Sequence, residues 1–418
     1  MSAGEMSAEE VPLEGTPVFD EEMWQEGPPH AFFKRLRNEC PVHWTEEMQD
    51  FPEEPGFWSL VKADDLRLVS RDWETFSSEI GGITAATNGL PLELMQSMFI
   101  AMDPPKHDRL KALFQRGFTP KRIAMHEDEI RSIVRDELDK LDGEEGCDIV
   151  HSIAQPVVAR VICGFMGIAD EDVLMWSNLI NTILAANDPD INPEGLDTIR
   201  ERDLPIVFQK AHELIAERRE NPTDDLTSVL VHAEVDGEKL EEHEIVMGFF
   251  LLMAAGNDST KSTYSSAVKA LLENPDQKAK LIANMDLVPS TVEESLRMFP
   301  AFAHFRRTAT KDTEIRGQKI AKGDKVVMWY PAAGRDEDEF DNPDDFDVER
   351  NPTHQSFGAG GRHFCLGAAL ARLELKILLE ETFARYPGME LDGEPTWVMS
   401  GFVNQLKTLP VKLGPRAA

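Results

Sequence analysis

The chain has 418 residues, of which 41% are hydrophobic, so a sizeable core can form in one large domain or in two or three ordinary ones. Its net charge of −33, from 76 acidic and 43 basic residues, argues against binding to nucleic acid or to an anionic membrane as a global property. The four cysteines, Cys40, Cys147, Cys163 and Cys365, are scattered without a CxxC pair, which argues against a disulfide framework and a structural zinc site.

The N-terminal end shows no targeting signal. Residues 1–16 are acidic and small, without a basic or an apolar region, so we predict a disordered tail and not a signal peptide. The longest apolar run, residues 245–256, is too short to cross a bilayer. We therefore predict a cytoplasmic protein without a membrane span.

The first hundred residues alternate between short helices and strands. We predict a helix over residues 28–38, a β-hairpin from residues 41–45 and 56–61 that turns at residues 50–55, and a helix over residues 63–71. Residues 77–90, rich in Gly, Thr and Ser, are long for a connection without structure, and such loops are often functional.

The middle of the chain, from Met102 to about Pro300, is predicted to be mainly helical. Its longest helix spans residues 241–274, about 50 Å, and ends at Asn274-Pro275. Strands are then predicted over residues 302–309, 313–320, 325–330 and within 396–412. Because the β segments come from both ends of the chain, the sequence favours one α+β domain, mostly α, over residues 17–418.

A glycine-rich segment, residues 356–367, leads to Cys365 and then to a helix predicted over residues 366–385. A cysteine at a helix N-terminus is biased toward the thiolate. The segment lacks the third glycine of a dinucleotide fingerprint, the Gly-Lys ending of a P-loop, and further ligands at zinc spacing. A Cys365 nucleophile paired with His363, or a lone thiolate ligand of haem iron, remain as alternatives.

Residues 254–260 place poor helix formers in the middle of the longest helix. Gly256 removes a side chain and so lets another group approach the backbone, while Asp258, Ser259 and Thr260 could hold water and move protons. An exposed polar turn of a long helix explains the same residues about equally well.

Other charged residues, taken singly, indicate a function less specifically. Glu294 and Arg297 lie one helical turn apart, a spacing that is usually a surface salt bridge. His107 and Lys111 share a helix face and could hold a carboxylate, although a lone histidine on a helix is more often structural. Arg307 in its strand could serve an anion, although solvation at a sheet edge is the commoner reason for such a residue. Between Pro104 and His126 there are six basic residues and one acid, which indicates either a docking surface for an acidic partner or only helix solubility.

Taken together, these segments resemble the cytochrome P450 family over nearly the whole chain. The resemblance rests on motifs in the family's order: Asp103-Pro104-Pro105 before a helix, Ala255-Gly256-x-Asp258-Ser259, Glu294-x-x-Arg297, Arg307-Thr308-Ala309-Thr310-x-Asp312, Ala332-Ala333-Gly334-Arg335-Asp336, and Gly361-x-His363-x-Cys365-x-Gly367. It implies a single-domain, mostly α fold, a triangular helical prism with small β-sheets and a long central helix over a haem.

The resemblance also implies a role for each matching residue. Cys365 would be the thiolate ligand of the iron of haem b, and the haem-binding residues would be His107, Lys111, Ala255, Gly256, Arg307, Ser356, Phe357, His363 and Gly367. Asp258, Ser259 and Thr260 would deliver protons to dioxygen, and Glu294, Arg297 and Arg350 would form a buried structural group. Substrate contacts are expected at Leu251, Ala254, Ala303 and Phe402.

The implied activity is hydroxylation of a C–H bond in a hydrophobic small molecule by O2, with two electrons from a separate ferredoxin and its reductase. The ferredoxin would use residues 106–122 with Arg362 and Arg372. A peroxide-driven peroxygenase and a non-catalytic haem-binding or sensing protein are the rivals. The chain departs from the family's pattern at Ser259, where Thr is usual, at Lys111, where Arg is usual, and by one extra residue between Phe357 and Cys365, a variant similar to members acting on sterols, terpenoids and branched lipids.

Overall fold

A computed structural model describes Leu13, Val18 and residues 21–48, 53–86, 90–235 and 237–417. The tail predicted at residues 1–16 therefore lies outside the described residues except for Leu13, and so does part of the turn predicted at residues 50–55. No helix in the described ranges is long and apolar enough to cross a membrane.

Sixteen α-helices, with shorter 3-10 and π-helical segments between some of them, dominate the described chain. They are α1 (His30–Glu39), α2 (Ala63–Arg71), α3 (Leu92–Gln96), α4 (Lys106–Gln115), α5 (Pro120–Ala124), α6 (Glu127–Asp139), α7 (Gln155–Met166), α8 (Val173–Leu184), α9 (Leu196–Thr198), α10 (Leu204–Glu220), α11 (Leu226–Val231), α12 (Glu242–Glu273), α13 (Pro275–Ala283), α14 (Val288–Met298), α15 (Tyr330–Ala333) and α16 (Ala368–Arg385).

The strands are short and form small sheets. They are β1 (Val42–Thr45), β2 (Phe57–Leu60), β3 (Phe76–Ser77), β4 (Gly146–Asp148), β5 (Glu234–Val235), β6 (Glu238–Lys239), β7 (His304–Ala309), β8 (Thr313–Ile315), β9 (Gln318–Ile320), β10 (Lys325–Trp329), β11 (Glu390–Leu391), β12 (Thr396–Trp397), β13 (Leu406–Thr408) and β14 (Pro410–Lys412). The prediction of a mostly α protein is confirmed.

The largest sheet joins strands that come before the helical middle of the chain to strands that come after it. Its strand order is β1-β2-β10-β7-β3, with β1 and β2 in the predicted antiparallel hairpin and β10 parallel to β2. In the antiparallel pair β7·β10, Arg307 lies opposite Val326 and Phe305 opposite Met328. Since neighbouring residues of a strand face opposite sides, Phe305 and Arg307 share one face of the sheet. Both line the cavity beside the sheet.

The 32-residue helix α12 runs through the core and matches the prediction to within one residue at each end. It begins with a capping box formed by Glu241 and Glu244 and ends before Pro275, which opens α13. It packs against α7, α8, α10, α14 and α16. Because it touches so many elements, side chains from most of the fold can meet along its length.

One predicted strand is in fact two. Residues 313–320 fold as the antiparallel hairpin β8–β9, which turns at Arg316 and Gly317 with φ of 49° and 83°. Both residues are in the left-handed region, which no strand can continue through and which glycine adopts at little cost. The turn was missed because the flanking residues alternate as in a single strand.

Candidate active site

The glycine-rich loop before α16 is a tight turn fixed against α2. Gly358, Gly360 and Gly361 have φ of 93°, 90° and 83°, a conformation that other residues rarely adopt. The Ser70 hydroxyl donates to the Gly360 carbonyl oxygen at 2.7 Å, and a Cβ added to Gly361 would lie 2.7 Å from the Ser70 carbonyl oxygen. The glycines therefore let the loop lie directly on the end of α2.

Cys365 lies three residues before the first residue of α16. Its backbone N–H donates to the Phe357 carbonyl oxygen at 2.8 Å, and its side chain is accessible from a cavity although protein atoms surround it on the other sides. This burial raises the pKa of the thiol, while backbone N–H groups of Gly367 and Ala368 and the cations Lys111 and Arg372 oppose the rise. Without a bound group, desolvation of the buried thiol therefore opposes the thiolate bias that the helix terminus favours.

The cavity beside Cys365 has a volume of about 200 Å³ and is partly open to solvent. Of the four cysteines, Cys365 alone is among the residues that line it. Apolar side chains dominate the walls, with Leu251 and Ala255 from α12, Phe302 and Phe305 from the sheet side, and Leu370 from α16. All ten residues that the resemblance assigns to haem binding line this cavity.

Four groups that can carry positive charge meet at one edge of the cavity. The rings of His107 and His363 are 4.1 Å apart, with Arg307 and Lys111 close enough to lower the pKa of His363 further. Burial is the main reason that the pKa of each of these four groups is lowered. Within the described residues, Arg307 and Lys111 form no ion pair with an acid, whereas His107 lies 3.0 Å from Asp108.

This arrangement fits a haem. A buried, unpaired guanidinium is costly unless an anion accompanies it, and the propionates of a haem would supply two. The apolar walls would suit the porphyrin ring, and the Cys365 sulfur would be available to ligate its iron. The donor set is therefore consistent with a haem-thiolate site.

Lys111 has a second use in this structure. Its ammonium donates to the carbonyl oxygens of Arg362 and, at 2.7 Å, of Phe364. Both carbonyls belong to the loop that presents Cys365, so Lys111 fastens that loop to α4. A point charge with three donors suits such carbonyl capping as well as it suits a propionate.

The polar segment of α12 is divided between two environments. Ser259 and Thr260 line the cavity, and the Ser259 hydroxyl donates to the Ala255 carbonyl oxygen at 2.7 Å. Asp258 points away from the cavity wall and forms a buried ion pair with Lys261 at 2.6 Å. The Thr260 hydroxyl lies near the carboxyl group of Glu374 on α16 and lowers its pKa, against the larger effect of burial.

Glu374 is a site residue that the sequence analysis missed. It is 3% exposed, lines the cavity, and burial raises its pKa to about 8. Its Oε2 atom has no hydrogen-bond partner within the described part of the chain. The sequence did carry a signal for it, because Glu374 lies one turn after Leu370 on the apolar face of its helix, where an acid is unexpected.

Gly256 makes room for a neighbouring helix as well as for the cavity. A Cβ at Gly256 would lie 2.7 Å from Cδ1 of Ile162 on α7. The group that approaches the backbone, as the sequence predicted, is thus the Ile162 side chain. Gly256 nevertheless lines the cavity.

The expected substrate contacts are placed unevenly. Leu251 lines the cavity, but Ala254, Ala303 and Phe402 do not. Ala254, although one turn from Leu251 on α12, packs against the core beside the cavity. Ala303 is fully buried with Trp329, while its neighbour Phe302 lines the cavity. Phe402 packs behind Phe302 at 5.2 Å between ring centroids, so it supports the wall from outside.

The three residues expected to form a structural group do meet. Glu294 and Arg297 make two hydrogen bonds of 2.7 Å, and both side chains are fully buried. Arg350 donates to Glu294 at 3.1 Å. The guanidinium of Arg297 also binds three carbonyl groups, including that of Gly334, so the pair joins α14 to the segment after α15.

Most of the basic residues after Pro104 are paired within the molecule. Arg109 binds Glu238 and Glu244, Arg122 binds Asp224, and Arg362 binds Asp108. Arg116 and Lys121 are exposed and have no acidic partner among the residues described. The expected basic face is therefore much smaller than the sequence suggests.

Comparison with known proteins gives concordant matches. A model of the cytochrome P450 family matches residues 94–395. The methyl-branched lipid omega-hydroxylase of Mycobacterium tuberculosis (strain CDC 1551 / Oshkosh) is 37% identical over 415 residues, covering 96% of this chain and 95% of that protein. The steroid C26-monooxygenase of Rhodococcus jostii (strain RHA1) is 31% identical, covering 95% of this chain and 84% of that protein.

A solved structure of similar sequence has the same fold. It is a Mycobacterium marinum cytochrome P450 in complex with pseudoionone, which superposes with a TM-score of 0.89 at 35% identity. The match covers 96% of this chain and 100% of that one. Fold, loop and cavity thus agree with the motifs read from the sequence.

Proposed function

The chain belongs to the cytochrome P450 family, and we propose how its own residues divide the work of a haem-thiolate monooxygenase. Membership makes it an enzyme that binds haem b and hydroxylates a hydrophobic small molecule with O2. The haem, when bound, supplies the activation of O2, in which two electrons and two protons yield one hydroxyl group and one water. The assignment of individual residues, the substrate and the electron donor are our proposals.

Cys365 ligates the iron, and His107, Arg307 and His363 hold the propionates. The observation that carries this assignment is the position of the Cys365 side chain on an apolar cavity whose edge holds an unpaired, buried Arg307. Lys111 keeps the cysteine loop closed through its two carbonyl contacts. Ser356 supports the same loop by donating to the Leu296 carbonyl oxygen.

Protons reach the reaction from two sides of α12. On the cavity side, Ser259 and Thr260 hold water, and Glu374 stores a proton because its pKa is about 8. On the other side, Asp258 stands beside Lys261 and exchanges protons through water. A peroxide-driven enzyme has no need of such groups, so the O2-dependent reaction is the one this site favours.

The substrate is an apolar molecule of the lipid, sterol or terpenoid type. The walls of the cavity are apolar and aromatic, so a chain or ring system gains by leaving water and few polar groups select it. Phe302 and Phe305, 5.7 Å apart and backed by Phe402, form one wall, and Leu251 faces them from α12. The names of the relatives, a branched-lipid omega-hydroxylase and a steroid monooxygenase, support the same class.

A ferredoxin-type protein delivers the electrons, with a reductase of its own. Arg71, Arg116 and Lys121 are exposed cations without an acidic partner in the described ranges, in a chain of net charge −33. Arg71 lies against the cysteine loop, since its guanidinium is 3.0 Å from the point where a Cβ of Gly360 would be. A small acidic electron carrier docked on these cations would sit close to Cys365.

The test uses the purified haem-containing protein. Its reduced carbon monoxide complex should show the red-shifted Soret band of thiolate ligation, lost in Cys365→Ser and kept in the matched control Cys40→Ser. With a ferredoxin, its reductase and NADPH, a methyl-branched fatty acid, a steroid or a terpene alcohol should gain one oxygen atom from ¹⁸O2. Product formed with peroxide alone, or no product with any donor, would contradict the proposal.

A further inference from the structure

A polar stripe runs along one face of α12 beyond the cavity. It consists of Asp258, Lys261, Ser262, Ser265 and Ser266, spaced by three or four residues so that all share one side of the helix. Each of these side chains is no more than 3% exposed. Buried polar side chains are costly unless they are hydrogen-bonded, so the stripe needs partners.

Several of these partners are not supplied by protein. Asp258 Oδ2, Ser265 Oγ and Ser266 Oγ have no hydrogen-bond partner among the described residues, and neither do Asn404 Oδ1 and Gln405 Oε1, which belong to the segment packed on α12. Five unpartnered buried atoms in one tract indicate enclosed water, because a buried water typically bonds two to four such groups.

The direct contacts join this tract end to end. Lys261 lies 2.6 Å from Asp258 and donates to Oδ1 of Asn181 on α8 at 2.9 Å. Gln405 donates to the same Oδ1 atom at 3.4 Å. The Ser262 hydroxyl donates to the carbonyl oxygen of Asn404, the residue before Gln405. These contacts connect Asp258, through Lys261 and Asn181, to Gln405 and its neighbour Asn404.

At its far end the tract opens into a second, polar cavity. Ser266 and Asn404 line this cavity together with His30, whose Nδ1 atom is also without a partner in the described ranges. Glu26, Glu273 and Asp276 line it as well and are exposed, so the cavity reaches solvent. Its lining also holds Asp344 and Asp345 against two cations, Arg335 and Lys269, of which Lys269 pairs with Glu273 at 2.7 Å, so the mouth is acidic on balance. Acidic side chains at an opening raise the local concentration of protons.

We propose that water fills this tract and that protons travel along it from the acidic mouth to Asp258. Each water or hydroxyl group accepts one proton and passes one on, so the tract changes neither charge nor oxidation state as a whole. The route is separate from Glu374, which lies on the cavity side of α12. The proposal rests on the role proposed for Asp258 in the monooxygenase reaction.

The first test is structural and does not depend on activity. A crystal structure of the haem-containing protein at about 1.5 Å resolution should show ordered water within hydrogen-bond distance of Ser265 Oγ, Ser266 Oγ and Asn404 Oδ1. If these atoms are dry, no water path exists and the proposal is overturned.

The second test compares two substitutions of Ser266, which lines the second cavity, by side chains of nearly equal size. Ser266→Val removes the hydroxyl and Ser266→Thr keeps it, so any effect of bulk is common to both variants. In Ser266→Val we expect the solvent deuterium isotope effect on product formation and the peroxide released per NADPH each to rise at least twofold, while Ser266→Thr stays near the wild type. Equal values in the two variants would overturn the proton path.

Failure of the proposed function is recognised separately. It would appear as absent O2-dependent product in the wild-type protein, before any variant is made. If the enzyme is fully active but no water is found in the tract, the water path is refuted and the monooxygenase assignment stands.

Discussion

The guanidinium carbon of Arg372 lies 4.6 Å from the centroid of the Phe357 ring, at the base of the cysteine loop. The same guanidinium donates to Glu293 at 2.6 and 2.9 Å, and this pairing contributes to holding the pKa of Glu293 at about 2 despite burial. Arg372 is therefore a structural residue of the loop, although the sequence suggested that it contacts the electron donor. Its stacking and its bidentate pair both need the planar guanidinium.

We predict that Arg372→Glu disturbs the cysteine loop itself. A carboxylate there would face Glu293 and lose the ring contact, so the loop that carries Cys365 should loosen. The reduced carbon monoxide complex should show a smaller share of the thiolate-type Soret band, and haem should dissociate several-fold faster. A normal spectrum together with slow reduction would instead make Arg372 a docking residue.

Reversal of charge at Arg116 and Lys121 should affect electron transfer alone. Both residues are exposed and unpaired among the described residues, so Arg116→Glu/Lys121→Glu removes attraction to an acidic donor without breaking an internal contact. Stopped-flow reduction by ferredoxin should slow by roughly tenfold at low salt, with the difference shrinking as salt screens the charges. Substrate binding should be unchanged. Lys319→Glu in β9, also exposed, is the matched control, and an equal effect there would contradict a docking face.

Glu374 should be titratable near the working pH. Its folded pKa of about 8 is above the ordinary 4.5, so the folded state binds one more proton than the unfolded state between these values, and stability falls as pH rises through them. Glu374→Gln keeps the shape and removes the charge, so its stability relative to wild type should grow from pH 5 to 8, by a few kcal/mol at most. Chemical denaturation of the two proteins across this range measures the difference. A constant difference would show that Glu374 is not held protonated.

The elements that position the site could largely be predicted, because each has a local signal. Periodicity and Asn274-Pro275 set the limits of α12, and all the expected haem-binding residues, Cys365 among them, line one cavity. The acidity of Cys365 could not be predicted, because burial depends on everything packed around the loop. Local pattern thus predicts where a side chain lies more reliably than it predicts the side chain's ionisation.

Contacts between residues far apart in the sequence could not be predicted either. Glu374 meets Thr260 only because α16 packs on α12, and the partners of Arg109 and Arg122 lie more than a hundred residues away. Ala303 and Phe302 are neighbours just before β7, and which of them faces the cavity depends on the local backbone conformation there, which the sequence alone does not give. Sequence spacing constrains pairs within one helix, such as Glu294 and Arg297, much more tightly.

The missing methyl group at Ser259 should make proton delivery less efficient than it could be. A threonine side chain has fewer accessible rotamers, so Ser259→Thr should hold the hydroxyl in place and raise the product formed per NADPH. Ser259→Ala should have the opposite effect, with peroxide release rising several-fold. Both are measured from NADPH, product and peroxide in one assay. If Ser259→Ala leaves the ratio unchanged, the hydroxyl that bonds Ala255 at 2.7 Å serves only the helix.

His304 should make the protein less stable in acid. Its Nε2 accepts the Ala85 N–H at 3.0 Å and its Nδ1 lies 2.8 Å from the Gly401 carbonyl oxygen, an arrangement that requires the neutral imidazole. Burial, with a contribution from Arg306, lowers the pKa of His304 to about 4, against 6.5 ordinarily. Between these values the unfolded state binds more protons, so the stabilisation present above pH 6.5 is lost as pH falls toward 4, about 3 kcal/mol in all. Denaturation curves from pH 4 to 7 should show this slope in the wild type and a flatter one in His304→Gln, with the exposed His212→Gln as control. Parallel slopes in all three proteins would mean that the link between the Ala85 loop and the Gly401 loop does not titrate.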